Sequence, residues 1–285
     1  MWSSELTMPE LPDLEVISKN LNKRLSGQKV TNVIVHQPKL LNISPETLTE
    51  KLINTTLSEV KREGKTAQLL FSNQQVLGVH LKLKGEFDIV PDHSQVSHKL
   101  LSLCFEEQTD LVISDLKKLA KITLNPEPSS VPDALDLTLE YLTEQLKKMP
   151  RKKIKAFLVD QGIMRGIGNA YSDEILWESR ITPESLCGQI PEKAVTTLFN
   201  AIKTVLTQAI EQIQTDRPDL LKGEYRDFLK IHNPNQKKTP TGRPILTKKF
   251  ASKKTYYSNE QMHYDQQQRP QHNNSPQAPL KIEIP

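Results

Sequence analysis

Between residues 125 and 132 the chain reads Asn-Pro-Glu-Pro-Ser-Ser-Val-Pro, and on either side of that stretch its apolar periodicity differs. The prolines remove backbone donors and bias the residues before them away from helix, so no regular element runs through. Before the stretch, short apolar runs over 30–35, 57–60, 67–71, 76–83, 86–90, 100–105, 111–114 and 122–124 alternate with Asn, Pro, Gly and acidic punctuation. They read as strands of a sandwich or barrel-like β domain. Apolar positions Leu14, Ile17, Leu21 and Leu25 make an amphipathic helix ahead of them, and 44–54 reads as a second, flanking helix. After the stretch the pattern is helical over 135–148, 154–161, 172–180 and 191–215; in the last, Val195, Leu198, Ile202, Val205, Ala209 and Ile213 recur at helical spacing. Strands and helices segregated in this way predict the α+β class and a domain boundary at the linker.

A chain of 285 residues can build two cores. Its net charge of +4 is a weak pointer to an anionic partner; the distribution says more. From 222 to 257, ten Lys or Arg stand against only Glu224 and Asp227. Within that region 239–247 reads as turn then strand, and 253–257 as a second strand, giving a basic hairpin. Beyond Ser258 the chain is rich in Gln, Asn and Pro and is expected to be disordered. Cys104 and Cys187 are the only cysteines, which excludes a disulfide framework and a four-cysteine zinc site. No apolar run is long enough to span a bilayer, and residues 1–7 lack the features of a secretory signal. The expectation is a cytoplasmic, intracellular protein with no membrane partner.

The stretch Met8-Pro9-Glu10-Leu11-Pro12 carries the chemistry. An internal proline nitrogen is an amide, but a proline at a free N-terminus is a secondary amine. With a pKa near ~8, such an amine has a useful neutral fraction at neutral pH and can attack a sugar C1′, holding it as an iminium. Glu10, beside it, can exchange protons with the sugar. A start at Met8, with the methionine removed, exposes Pro9; standing alone, the same residues are an ordinary helix start. Lys65 follows Gly64 at the opening of a strand, either a solvated edge lysine or a cation aimed at a phosphate or sugar. The turn Gly162-Ile163-Met164-Arg165-Gly166-Ile167-Gly168-Asn169 precedes a helix, so its backbone N–H groups can hold a phosphate. Lys147, Lys148, Arg151, Lys152, Lys153 and Lys155 crowd its approach, as a solvated face or as a nucleic-acid contact.

These segments, in this order, resemble the formamidopyrimidine-DNA glycosylase / endonuclease VIII family over nearly the whole chain. The most specific matches are the Met8-to-Pro12 motif and the block Ile154-Lys155-Ala156-Phe157-Leu158-Val159-Asp160-Gln161 leading into Gly166-Ile167-Gly168-Asn169-Ala170-Tyr171-Ser172-Asp173-Glu174. The resemblance implies an N-terminal catalytic β-sandwich (9–126), a helix-two-turn-helix DNA-binding domain (127–230), a β-hairpin finger (231–258) and a tail (259–285), with 1–8 an extension or a mis-assigned start. It implies a monomeric base-excision repair enzyme that flips a damaged base from double-stranded DNA, cleaves its glycosidic bond and nicks the abasic site by β,δ-elimination. Pro9 is then the Schiff-base nucleophile, Glu10 its acid/base partner, and Lys65 the lysine that assists elimination. Lys253 grips a phosphate. His98, Lys155, Gly168, Asn169 and Tyr171 contact DNA, and Leu83, Lys117 and Leu119 fill the void left by the flipped base.

Several positions depart from the family pattern. Asp13 stands where the family has a glutamate. Leu83, Lys117 and Leu119 replace Met, Arg and Phe, and Lys117 lacks the planar fork of an arginine. The finger lacks its zinc-binding cysteines, so no metal cofactor is expected: it resembles a zincless finger, with Lys253 for arginine. The segment 217–225 is short, which leans towards ring-opened purines, oxidised pyrimidines or abasic sites. Together with the seven residues before Met8, these departures support a second reading, a catalytically inactive homologue that binds damaged or bent DNA.

Overall fold

The computed structural model describes residues 8–250 and 253–265. The expected N-terminal extension lies outside the described residues, Met8 apart. The first helix, α1 (Leu11–Leu25), starts between two closely spaced prolines, Pro9 and Pro12, and ends at Ser26, whose extended backbone stops it. It is followed by β1 (Val30–Val35), α2 (Pro45–Leu52), β2 (Leu57–Glu63), β3 (Thr66–Phe71), β4 (Val76–His80), β5 (Gly85–Val90), β6 (Lys99–Phe105), β7 (Thr109–Asp115) and β8 (Lys121–Leu124). The strands form two four-stranded antiparallel sheets, ordered β1-β6-β7-β5 and β2-β3-β4-β8. In β3 the burial alternates residue by residue, as a strand with one face on a core must.

After the linker come α3 (Leu139–Lys148), α4 (Ile154–Leu158), α5 (Asn169–Glu178) and α6 (Glu192–Asp216), then a hairpin of β9 (Leu246–Phe250) and β10 (Lys253–Tyr257). The class is α+β, as expected, and no helix among the described residues is long and apolar enough to cross a membrane.

α1 belongs to two cores. Leu14, Ile17, Leu21 and Leu25 pack with the sheets, while Leu11 and Val16 pack with the helices. Each such side chain, fully buried, is worth about 1.5–3 kcal/mol. Charged ties also cross between the halves. Asp133, just past the linker, accepts from the two terminal guanidinium nitrogens of Arg62 at 2.5 and 3.1 Å and from the Gly64 N–H at 2.9 Å. Arg165 donates to Glu63. The β2–β3 turn that presents Lys65 is therefore held by the helical half.

Four expectations need correction. The strand expected over 76–83 ends at His80, and Leu83 lies in the turn before β5. The helix expected from 135 begins at Leu139, because the Thr138 hydroxyl accepts the Tyr141 N–H and caps it there. The helix expected over 154–161 stops at Leu158, where Asp160 accepts the Gly162 N–H and turns the chain. Finally, residues 259–265 are not a disordered tail: the Gln261 amide donates to the Ile181 carbonyl, Met262 N–H to Arg180 and Leu186 N–H to Tyr264. Residues 266–285 lie outside the described residues.

Candidate active site

The helix α5 begins at Asn169, three residues earlier than its pattern predicts, and its cap comes from the other end of the chain. The Glu10 carboxylate accepts the N–H groups of Gly168 at 2.8 Å, Ala170 at 2.9 Å and Tyr171 at 3.3 Å. A helix N-terminus presents unpaired donors and a partial positive charge; here a carboxylate fills it. The glycine-lined turn thus holds Glu10, not a phosphate as its sequence suggested. Gly168 is required by this contact, since a Cβ there would lie 2.3 Å from the Glu10 carboxyl carbon.

Glu10 is 5% exposed and Pro9, beside it, is buried. Burial raises the Glu10 pKa, but the nearby charges of Lys65 and Arg226 and the Ala170 N–H outweigh that, and the net shift is downward. Glu10 is therefore a carboxylate at neutral pH. Lys65 is 8% exposed. Burial lowers its pKa; Glu10 opposes this, while Lys253 and Arg226 reinforce it, and the net shift is downward. The cluster therefore contains an amine that gives up its proton more easily than a surface lysine.

Arg226 completes the cluster, and sequence reasoning missed it. Its guanidinium forms a fork on Asp13 (Nη1–Oδ1 3.0 Å, Nη2–Oδ2 2.9 Å) and donates to the Tyr171 hydroxyl at 3.2 Å. Burial works against its charge, but Asp13, Tyr171, Glu224 and Glu10 hold its pKa well above the ordinary arginine value. Asp13 also accepts the Glu10 N–H at 2.9 Å and so fixes the turn carrying Pro9 and Glu10. Its shorter side chain is seated, not slack. Tyr171 is fully buried and packs against Arg226, so it supports the site from beneath.

Asp173 ties the hairpin down. It accepts from the Lys155 ammonium at 2.6 Å, the Tyr256 N–H at 2.9 Å and the His232 ring at 2.7 Å. Lys155 also donates to Thr255 at 2.7 Å and is 2% exposed, so it is a tie between α4, α5 and β10 and is not free for an external phosphate, contrary to expectation. The Asn169 amide likewise donates to the Lys254 carbonyl. Lys253, at the start of β10, is exposed, and its charge is felt at both Lys65 and Lys155. Of the lysine run before α4, Lys148, Lys152 and Lys153 are paired with Glu144, Asp160 and Glu184.

A second group lies on the N-terminal half. Asp115 accepts the N–H groups of Lys117, Leu119 and Ala120 at 2.7–2.8 Å and holds the 116–119 turn open. Leu116 and Leu119 are 62% and 47% exposed. His98 is exposed with φ +54°, and its carbonyl accepts the Asp115 N–H, placing it at the base of this turn. Leu83 is half-buried. His80, at the end of β4, lies within the field of Lys65 and accepts the Lys82 N–H at its Nδ1. Burial, then the charges of Lys82 and Lys65, push its imidazole down to about 4, so it is neutral at pH 7.

The sequence of residues 8–122 matches the model of the formamidopyrimidine-DNA glycosylase N-terminal domain, and 124–218 that of the formamidopyrimidine-DNA glycosylase H2TH domain. A formamidopyrimidine-DNA glycosylase of Carboxydothermus hydrogenoformans is 30% identical over 258 residues, covering 88% of this chain and 98% of the relative. One from Lactiplantibacillus plantarum is 33% identical over 218 residues, covering 72% and 78%. A solved complex of Lactococcus lactis Fpg with abasic-site DNA superposes with a TM-score of 0.79 at 25% identity, covering 89% of this chain and all of that one.

Proposed function

Since this chain belongs to the formamidopyrimidine-DNA glycosylase family, and so is a DNA glycosylase of base excision repair, we propose that it is bifunctional: it removes an oxidised or ring-opened base through a Schiff base on Pro9 and then cleaves the strand as an AP lyase. The observation that carries this reading is the seat of Glu10 on the α5 N-terminus, next to buried Pro9 and within the field of Lys65.

With Pro9 heading the mature chain, its amine attacks C1′ of a flipped nucleotide. The glycosidic bond breaks, the base leaves with a proton, and ring opening leaves an iminium between Pro9 and C1′. Glu10, held ionised, stabilises that positive charge from the adjacent residue. Loss of a C2′ proton then expels the 3′ phosphate, and a second elimination expels the 5′ phosphate. Lys65, with its lowered proton affinity, is the group suited to take the C2′ proton. Lys253 and the basic hairpin grip the phosphates, and the turn carrying Leu116, Lys117 and Leu119 enters the duplex where the base has left. His98 stands at the base of that turn, a backbone contact. The partner is double-stranded DNA bearing a damaged base or an abasic site, bound by a monomer, and none of these steps calls on a metal.

Borohydride trapping on abasic DNA, with protein begun at Met8, tests the reading. A covalent adduct is expected, and it should be lost when Pro9→Gly is combined with Lys65→Ala. Salt-sensitive binding without any adduct would establish instead the non-catalytic DNA-binding homologue, which the substitutions at Lys117 and Lys253 favour.

A further inference from the structure

We propose that His93, Cys104 and Asp110, with His36 beside them, form a site for one zinc-class divalent cation on the N-terminal domain, outside the Glu10 cluster. Cys104 and Asp110 are direct cross-strand partners in the β6–β7 ladder, so their side chains leave the sheet on the same face. The short 3-10 turn His93–Gln95 folds over that face. Its first residue reaches Asp110 Oδ2 twice, through the backbone N–H at 2.8 Å and Nδ1 at 2.7 Å. One nitrogen, one sulfur and one carboxylate oxygen thus lie within 4.8 Å of one another, brought from three separate segments.

His36 is the fourth donor. It follows β1, the neighbour of β6, and its ring centroid stands 6.2 Å from that of His93. Two imidazoles on one tetrahedral ion, with metal–nitrogen bonds of about 2.0–2.1 Å, have centroids on the order of 5 Å apart, so a small side-chain rotation closes the set. His36 Nε2 now lies 3.0 Å from the Ser102 hydroxyl, which it can exchange for the ion. The donor set selects the metal. Thiolate and imidazole with a single carboxylate suit zinc or its neighbours, whereas calcium and magnesium demand an all-oxygen shell.

The same residues also make a complete hydrogen-bonded cap when no ion is bound, with Asp110 accepting from His93. Burial and then Asp110 push the Cys104 thiol up to about 12 in that state. A dication reverses that balance, as metal-bound thiols are deprotonated. On uptake the Cys104 proton goes to solvent, and His93 moves its ring proton from Nδ1 to Nε2. The ion would pin residues 92–98 to the sheet and so fix the approach to His98.

Zn2+ and Co2+ are titrated into chelator-treated full-length protein, into Cys104→Ser and into His93→Ala. Expected is one equivalent per chain with release of a proton, a thiolate-to-cobalt charge-transfer band, and a raised Tm. Both the band and the Tm rise should vanish in Cys104→Ser and weaken in His93→Ala. Absence of a stoichiometric equivalent, or an unchanged band in Cys104→Ser, overturns the site. Borohydride trapping by Cys104→Ser should match that of the unmodified protein, so failure here is distinguishable from failure of the Pro9 chemistry.

Discussion

The Glu10 carboxylate sits 2.8 Å from the Gly168 N–H, although 158 positions separate the two residues. One contact therefore seats the first turn of the N-terminal half on the first turn of the helical half's central helix. Gly168→Ala inserts a Cβ into this contact. Displacing a reacting group by about 1 Å costs on the order of 100-fold in rate. Single-turnover strand nicking should fall by roughly that factor, with DNA affinity much less affected. An unchanged rate would show that the Glu10 seat does not set the geometry of the reaction.

Glu10→Gln removes the charge and keeps the shape. The folded-state pKa of Glu10 is lowered, so its stabilising contribution is present above its unfolded value, near ~4.3, and is lost as pH falls through the folded value. The Tm gap between the unmodified protein and Glu10→Gln should therefore be widest at neutral pH and narrow below about pH 4. A gap independent of pH would mean that Glu10 carries no charge in the folded protein.

Lys65 gives a pH dependence in the rate, on the alkaline side. Its pKa is lowered from the ordinary lysine value, so the neutral amine grows in as pH rises, beginning below the range of a free lysine. β-Elimination should accelerate with pH over that interval. Lys65→Arg stays protonated throughout and should lose the alkaline rise while still binding abasic DNA. A rise that persists in Lys65→Arg assigns the proton transfer to another group.

Asp173→Asn takes the countercharge from Lys155 in a place where both are buried, at 2% and 0% side-chain exposure. Breaking a buried pair from one side costs about 3–5 kcal/mol. Chemical denaturation should show a loss of that order, and the double variant Lys155→Met with Asp173→Asn should recover part of it. If the double variant is no more stable than the single one, the ammonium is not the reason for the loss.

The sheets were legible because strand patterns are local: β3 buries every second residue, and β6 is a short apolar run that the core takes in almost whole. The helix starts were less so. α5 begins at Asn169 because a carboxylate far away in sequence caps it, and no window of residues around 169 contains that information. Lys155 stood in a run of lysines and read as a surface cation; its burial follows from the hairpin folding back over α4, a tertiary event. Arg226, in a segment without periodicity, gave no signal until Asp13 and Tyr171 were seen to meet it. Asp173 and Glu174 were more readable. Two adjacent acids directly before the apolar run Ile175-Leu176-Trp177 must find partners if they are buried, and Glu174 finds the N–H groups of Lys230, Ile231 and His232.

The sharing of α1 between two hydrophobic clusters has a thermodynamic consequence. Severing the chain at the proline-rich linker leaves either the sheets with Leu11 and Val16 bare or the helices without the strip that seals them. Neither fragment keeps a closed interior, so the halves are expected to melt in one cooperative transition. Resistance to proteolysis within the sheets should then report on the integrity of the helices, because the helix that follows Pro9 and Glu10 is held by both interiors at once.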